Sequence, residues 1–170
     1  PDNLKAGDKM EVMPPEGRFY TEVDGDNVKT YYLFGAGSGI TPLYSIIKTI
    51  LEEEPMSKIY LYYGNRTEES IIFKDGLDGL EKKYAGQLMV THILSQPKLE
   101  KASGVFGMFK KGKPTWNGAI GRIDAVNAAK FLQENPARTT QVEYFICGPG
   151  GMIDAVEQSL LNRQINDKKI

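Results

Sequence analysis

The chain predicts an α/β fold, a doubly wound and mainly parallel sheet with flanking helices. Three observations predict it. Apolar stretches rich in Tyr, Ile and Val alternate with segments of helical periodicity, which is the pattern of a parallel sheet covered by helices. The stretch YYLFGAGSGITPLYSII, residues 31 to 47, reads as a strand that runs into three alternate glycines, then Thr-Pro, then a helix. A later strand runs into a second glycine-lined turn at FICGPGGM, residues 145 to 152, so two bare turns at one edge of the sheet would make a cleft.

Each element has its own local reason. Residues 1 to 20 stand apart from the alternation, because GDKMEVMPPEGRF reads as a short strand and a Pro/Gly turn ahead of the first βα unit. With Pro1 at its start, the chain reads as a piece of something longer. A strand is expected at 30 to 34 and a helix at 42 to 54. In that helix Leu43, Ile46, Ile47, Ile50 and Leu51 fall at i, i+3, i+4, i+7 and i+8, one apolar stripe that Pro55 ends. Thr41 and Pro42 are expected as its N-cap and first helical residue. A strand at 58 to 63 leads to a helix at 68 to 84, interrupted by Gly76 and Gly79 at about 1 kcal/mol each relative to Ala. After a strand at 87 to 94, the stretch from Lys98 to Gly118 carries Lys98, Lys101, Lys110, Lys111 and Lys113 against Glu100 alone. It is expected as a long loop, either solvated and mobile or able to steer an acidic partner. A helix at 124 to 134, a strand at 141 to 147 and a helix at 150 to 163 complete the order, without an internal repeat.

Composition removes several classes of function. A length of 170 residues suits one domain with a real core. With 21 Lys plus Arg against 22 Asp plus Glu there is no global field for nucleic acid or an anionic membrane, so a small-molecule ligand is the default. One cysteine and one histidine build no disulfide framework, no Cys/His zinc site and no four-thiolate iron–sulfur cluster, and a cytoplasmic setting is expected. No apolar run of about 18 residues and no signal-like start occur, which speaks against membrane-spanning and secreted readings.

The glycine turn holds the first candidate site: Gly35, Ala36, Gly37, Ser38, Gly39, Thr41 and Pro42. Unpaired amides of a first helical turn and the helix dipole favour an anion there, and glycines let a pyrophosphate approach the backbone. A merely tight turn is the structural alternative. The usual dinucleotide fingerprint would put its third glycine where Ile40 stands. A phosphate-binding P-loop fails because Ile40 and Thr41 occupy the places of its Gly-Lys. A nucleophile elbow on Ser38 fails because Ala36 and Ile40 flank it, and His92 reads as a packed strand residue.

At the end of the second strand, YYGNRTEES places Asn65, Arg66 and Ser70 where the adenosine ribose of a dinucleotide would lie. Arg66 suits a 2′-phosphate by its fork of donors, which favours NADPH over NADH, whereas Glu68 and Glu69 argue the other way unless they face solvent. The last turn contributes Cys147, Gly148, Pro149, Gly150 and Met152. A lone cysteine is more commonly a buried small apolar residue than a reactive thiol.

The ordered set GAGSGITP, YYGNRTEESIIFKD, GRID and CGPGGM resembles the nicotinamide-nucleotide domain of the ferredoxin–NADP reductase family, and within it oxygenase reductase components, over roughly residues 4 to 165. The resemblance implies a Rossmann-like NAD(P) domain and a hydride passing between nicotinamide and FAD. It implies that Gly35, Gly37, Gly39, Thr41 and Pro42 hold the pyrophosphate and approach the nicotinamide, and that Arg66 and Ser70 meet the adenosine. Cys147, Gly148 and Pro149 would border the nicotinamide, with Cys147 and Thr41 nearest the reacting centre. Residues 1 to 20 would be the end of a flavin-binding barrel and 21 to 170 the NAD(P)-binding domain. The barrel's Arg-x-Tyr-Ser/Thr motif and the four cysteines of a ferredoxin module do not occur here. The expected partners are therefore a flavin-binding domain of the same parent chain and a ferredoxin-type domain or oxygenase as electron acceptor. FAD would not be bound by this chain alone. The competing class is a non-redox dinucleotide-binding module.

Overall fold

A computed structural model describes residues 5–14, 16–100 and 112–166. Five strands form one sheet in the order β4-β3-β2-β1-β5, all neighbours parallel. They are β1 (Thr30–Ala36), β2 (Lys58–Asn65), β3 (Leu88–Leu94), β4 (Ala119–Ile120) and β5 (Val142–Cys147), with helices α1 (Ile40–Glu53), α2 (Lys74–Lys83), α3 (Ala125–Glu134) and α4 (Gly150–Leu161) between and after them.

The period of two along β1 divides the core. Tyr31 and Leu33 join the stripe of α1 and Leu77 of α2 on one face, while Tyr32 and Phe34 meet Phe131 of α3 and Val156 and Leu160 of α4 on the other. Helices on both faces bury both sides of β1 and β2, which is why β1 is apolar almost throughout rather than alternating. The second face is aromatic. Tyr32 stacks between Tyr60 and Tyr144 at ring separations of 5.3 and 5.4 Å, and Tyr62 stacks on Phe131 at 4.6 Å.

The sequence boundaries shift in informative ways. Helix α1 starts at Ile40, fed directly by a 3-10 turn over Gly37–Gly39, so Thr41 is the second helical residue and not the N-cap. Pro42 is then the third, a place its missing N–H tolerates because first-turn amides have no intrahelical acceptor. The expected helix at 68 to 84 is two pieces. A 3-10 turn at Glu68–Ser70 is closed by a capping box between Thr67 and Ser70, and α2 follows after Phe73, whose left-handed φ of 59° breaks the helical path. Gly76, read as an interruption, is a packing point, since a Cβ there would lie 2.6 Å from the Tyr44 hydroxyl.

Two expectations are corrected. No strand forms among the described residues of 5 to 20, and Met10, Val12 and Met13 are exposed; a strand needs a neighbour's edge to pair with, and this segment pairs with none of the five. The stretch from Lys98 to Gly118 is more than a loop at its described ends. Leu99 bridges antiparallel to Pro114, the Glu100 N–H donates to Lys113 O (2.8 Å) and the Thr115 N–H to Lys98 O (2.9 Å), after which β4 adds a short edge to β3. Lys101, Lys110 and Lys111 lie outside the described residues.

Candidate functional site

The winding reverses at β1. The chain passes from β1 through α1 to β2 on one side, and β5 returns to the other side of β1 from the opposite face of the sheet. In open α/β sheets the crevice at such a switch, outside the carboxyl ends of the strands, is where ligands bind. A cleft of about 1140 Å³ lies there, slightly larger than the usual range for small-molecule pockets.

The two glycine turns form its floor, and their glycines serve different ends. Gly35 and Gly39 are needed for packing: a Cβ on Gly35 would lie 2.8 Å from Leu43 Cδ1, and one on Gly39 would overlap the Cys147 carbonyl. The turn after β1 is thus pressed against the backbone leaving β5. Gly37 has a φ of 54°, which favours glycine, and open space where its side chain would be. Beneath it the buried Tyr63 hydroxyl donates to Gly37 O at 2.9 Å, holding the turn from below. Burial raises the Tyr63 pKa, so the phenol keeps the proton that this hydrogen bond uses. In the second turn Pro149 occupies the N-cap of α4, and Gly150 and Gly151 leave its first turn bare, with nothing within 4 Å of where either Cβ would stand. Gly148 packs where a Cβ would meet Met152 and Ala36.

The structure brings together most of the expected residues. Ala36, Gly37, Ser38, Gly39, Asn65, Arg66, Ser70, Cys147, Gly148, Pro149 and Met152 line the cleft. Gly35, Thr41, Pro42 and Gly150 do not: Gly35 is buried under Leu43, Thr41 is exposed on the first turn of α1, and Pro42 and Gly150 flank the lining. Cys147 is half-buried and is a free thiol. Ser70 Oγ is engaged in its own capping box, donating to Thr67 O at 2.7 Å and accepting the Thr67 N–H at 3.1 Å.

Sequence reasoning missed Gly64, Ser95, Gly121, Arg122, Ile123, Asp124, Gly151 and Ala155. Ser95 and Gly121 follow the ends of β3 and β4, so the carboxyl-end rule could have found Ser95. The signal for Gly121 to Asp124 was weaker, because β4 has two residues and no periodicity to announce it, although GRID and the Gly151 of CGPGGM stood within the motifs quoted above. Asn65, about nine-tenths buried, lines the cleft, and its side chain interacts with the Tyr63 hydroxyl that holds the glycine turn.

The charges flanking Arg66 are neutralised. Lys98 reaches Glu69 at 2.5 Å and Lys74 lies 3.9 Å from Glu68. The Lys98 hydrogen bond holds the exposed Glu69 carboxyl down to about 2. His92 is where strand packing was expected to place it, between Tyr63 and Trp116 at ring separations of 5.7 and 6.4 Å, outside the cleft lining. Among the described residues no cluster of His, Cys, Asp and Glu could hold a metal ion, and no helix is long and apolar enough to cross a membrane.

Two glycine turns facing one cleft, one of them opening a bare helix start, and a volume of this size fit a dinucleotide. The model of the oxidoreductase NAD-binding domain matches residues 33–158. The chain is 33% identical over 169 residues to one of the subunits of the 1,2-phenylacetyl-CoA epoxidase of Escherichia coli K12, covering 99% of this chain and 43% of that protein. It is 36% identical over 160 residues to the ferredoxin reductase component of 3-ketosteroid-9-alpha-monooxygenase of Rhodococcus rhodochrous, covering 94% and 37%. It thus spans less than half the length of either relative. The structure resembles the CS-b5R domains of human Ncb5or in their NAD+ form, with a TM-score of 0.77 and 29% identity over 99% of this chain and 43% of that one. Fold, cleft and family model together show that the chain belongs to the oxidoreductase NAD-binding domain family.

Proposed function

We propose that the chain is the nicotinamide-nucleotide half of a flavin-dependent reductase, binding NADPH in preference to NADH. The observation that carries it is the convergence of the Gly37–Gly39 turn and the bare start of α4 on one cleft at the β1/β5 switch. The amides of the Gly37–Gly39 turn and of the first turn of α4 would hold the diphosphate, each helix dipole adding favourable charge. Gly37, kept in place by Tyr63, lets it approach the backbone. When bound, the nicotinamide supplies a hydride and a flavin accepts it. The chain's own contribution is positioning: Cys147, Gly148 and Pro149 wall the end of the cleft nearest the β1/β5 switch, where the nicotinamide would lie.

Residues 1–20 read as the end of a flavin-binding barrel in the same parent chain. A ferredoxin-type domain or an oxygenase fits as electron acceptor, and a cytoplasmic setting fits the single free thiol. The coenzyme preference rests on Arg66, which no ion pair reaches among the described residues, while both neighbouring glutamates sit beside lysines. The NAD+ form named above is a property of that human protein.

Titrating the chain with NADPH and NADH tests this reading. Saturable binding with NADPH the tighter ligand is expected. Tighter NADH binding would sink the role of Arg66, and binding of neither would sink the site. In the intact parent, rapid flavin reduction by NADPH is expected, and nucleotide binding without reduction would instead show a non-redox module.

A further inference from the structure

The cleft holds a second arginine whose place the coenzyme reading above does not use. We propose that Arg122 is a specificity residue that acts jointly with Arg66, the two guanidinium groups closing on a phosphate ester of the adenosine ribose from opposite sides of the β3 end. This rests on the reading of the cleft as a dinucleotide site.

The backbone sets the spacing. The Gln96 N–H donates to Arg66 O at 2.8 Å, and the Gly121 N–H donates to Leu94 O at 2.9 Å, so the residues after β2 and β4 flank the end of β3. Neighbouring strands lie about 4.8 Å apart, which puts the two arginine backbones roughly 10 Å from each other with only the β3 end between them. Ser95 stands in that gap and also lines the cleft. Two long side chains reach a common point from such a separation. Gly121, at a φ of 136°, makes the turn out of β4, and Asn127 Nδ2 donates to Arg122 O at 2.9 Å, so the residue's backbone is fixed although its side chain is exposed.

Charge supports an anion at that point. Neither arginine forms an ion pair among the described residues. The acids of this rim are each engaged elsewhere. Glu69 pairs with Lys98 at 2.5 Å, Glu68 lies 3.9 Å from Lys74, and Asp124, which also lines the cleft, accepts the Asn127 N–H at 2.8 Å to cap α3. Two unpaired guanidinium groups reaching for a common point would repel, and a doubly charged phosphate between them would remove that repulsion while accepting bidentate hydrogen bonds. A plain ribose hydroxyl would leave it in place.

Calorimetric titration of the chain with adenosine 2′,5′-bisphosphate and with 5′-AMP separates the 2′-phosphate from the rest of the adenosine. Arg122→Gln is expected to weaken the bisphosphate about tenfold, equivalent to about 1.4 kcal/mol, and to change 5′-AMP affinity by less than about twofold. Arg66→Gln is expected to do the same. The double variant should lose less than the sum, because each residue acts on the same group. Urea unfolding of each variant serves as the fold control. Equal losses for both ligands would mean that Arg122 stacks on the base or acts through general charge, and no loss for either would mean that it does not reach the ligand; both results overturn the proposal. If the unaltered chain binds neither ligand, the dinucleotide reading itself falls, and this inference with it.

Discussion

Glycines that look equivalent in the sequence separate at the residue scale. Gly39→Ala would drive a Cβ into the Cys147 carbonyl, where backbone must move, and should cost about 3 kcal/mol or more of stability. Gly37→Ala faces open space and bears only left-handed strain, about 1 to 2 kcal/mol, yet it thickens the surface a diphosphate must approach. Urea unfolding together with NADPH titration should therefore rank Gly39→Ala worse for stability, with Gly37→Ala folding but binding poorly; the reverse order would refute the division. At the other end of β1, Glu54 is fully buried and accepts from Tyr31 Oη (2.9 Å), Ser57 Oγ (2.6 Å) and Asn27 Nδ2 (2.6 Å). One carboxylate ties the turn before β1 to the end of α1. Glu54→Ala strands several donors at once and should lower the unfolding free energy by about 3 kcal/mol with an unchanged denaturant slope. A loss below about 1 kcal/mol would show that the donors find other acceptors.

At the scale of elements, β3 carries the chain's one histidine in a setting that resists charge. Both ring nitrogens of His92 are buried without a hydrogen-bond partner among the described residues. Burial pushes its pKa below the ordinary 6.5, with Asp78 and Glu68 of the neighbouring turn and helix pulling up and Lys74 pushing down. Below that ordinary value the unfolded chain takes up a proton that the fold resists, so unfolding binds protons and stability falls as pH falls. Above it the histidine is neutral in both states and contributes no slope. Urea midpoints should drop as pH falls below about 6.5, and His92→Phe should flatten that decline. An unaltered slope in the variant would assign the dependence to carboxylates instead. The helical elements show why boundaries were harder to read than existence. The stripe from Leu43 to Leu51 announces α1, whereas its first turn is set by the 3-10 geometry of Gly37–Gly39, and Phe73 breaks the next helix by a backbone angle that its residue type disfavours. Phe73 stacks on Tyr44 at 4.7 Å, a tertiary contact that favours the angle and has no trace in local periodicity.

Across the whole molecule, helices on both faces hold the sheet while its carboxyl edge stays open between the two glycine turns. The described residues before Thr21 lie largely exposed, although Phe19 packs edge-on against Phe145 at 5.5 Å. A segment so placed fits the end of a barrel better than a flavin site. The purified chain should therefore show nucleotide binding with little or no flavin absorbance, and a stoichiometrically yellow protein would overturn the proposed division at residue 20.

The sequence by itself determined the layered fold and the two bare turns, because burial on both faces demands apolar strands and a tight βα turn demands glycine. Local composition carries both signals. Only the tertiary structure decided which glycines meet backbone and which meet open space, and that Arg122 lines the same cleft as Arg66. Those outcomes depend on segments from β1, β2, β4 and β5 arriving at one rim, and no window of sequence contains the distances between strands that chain order keeps apart.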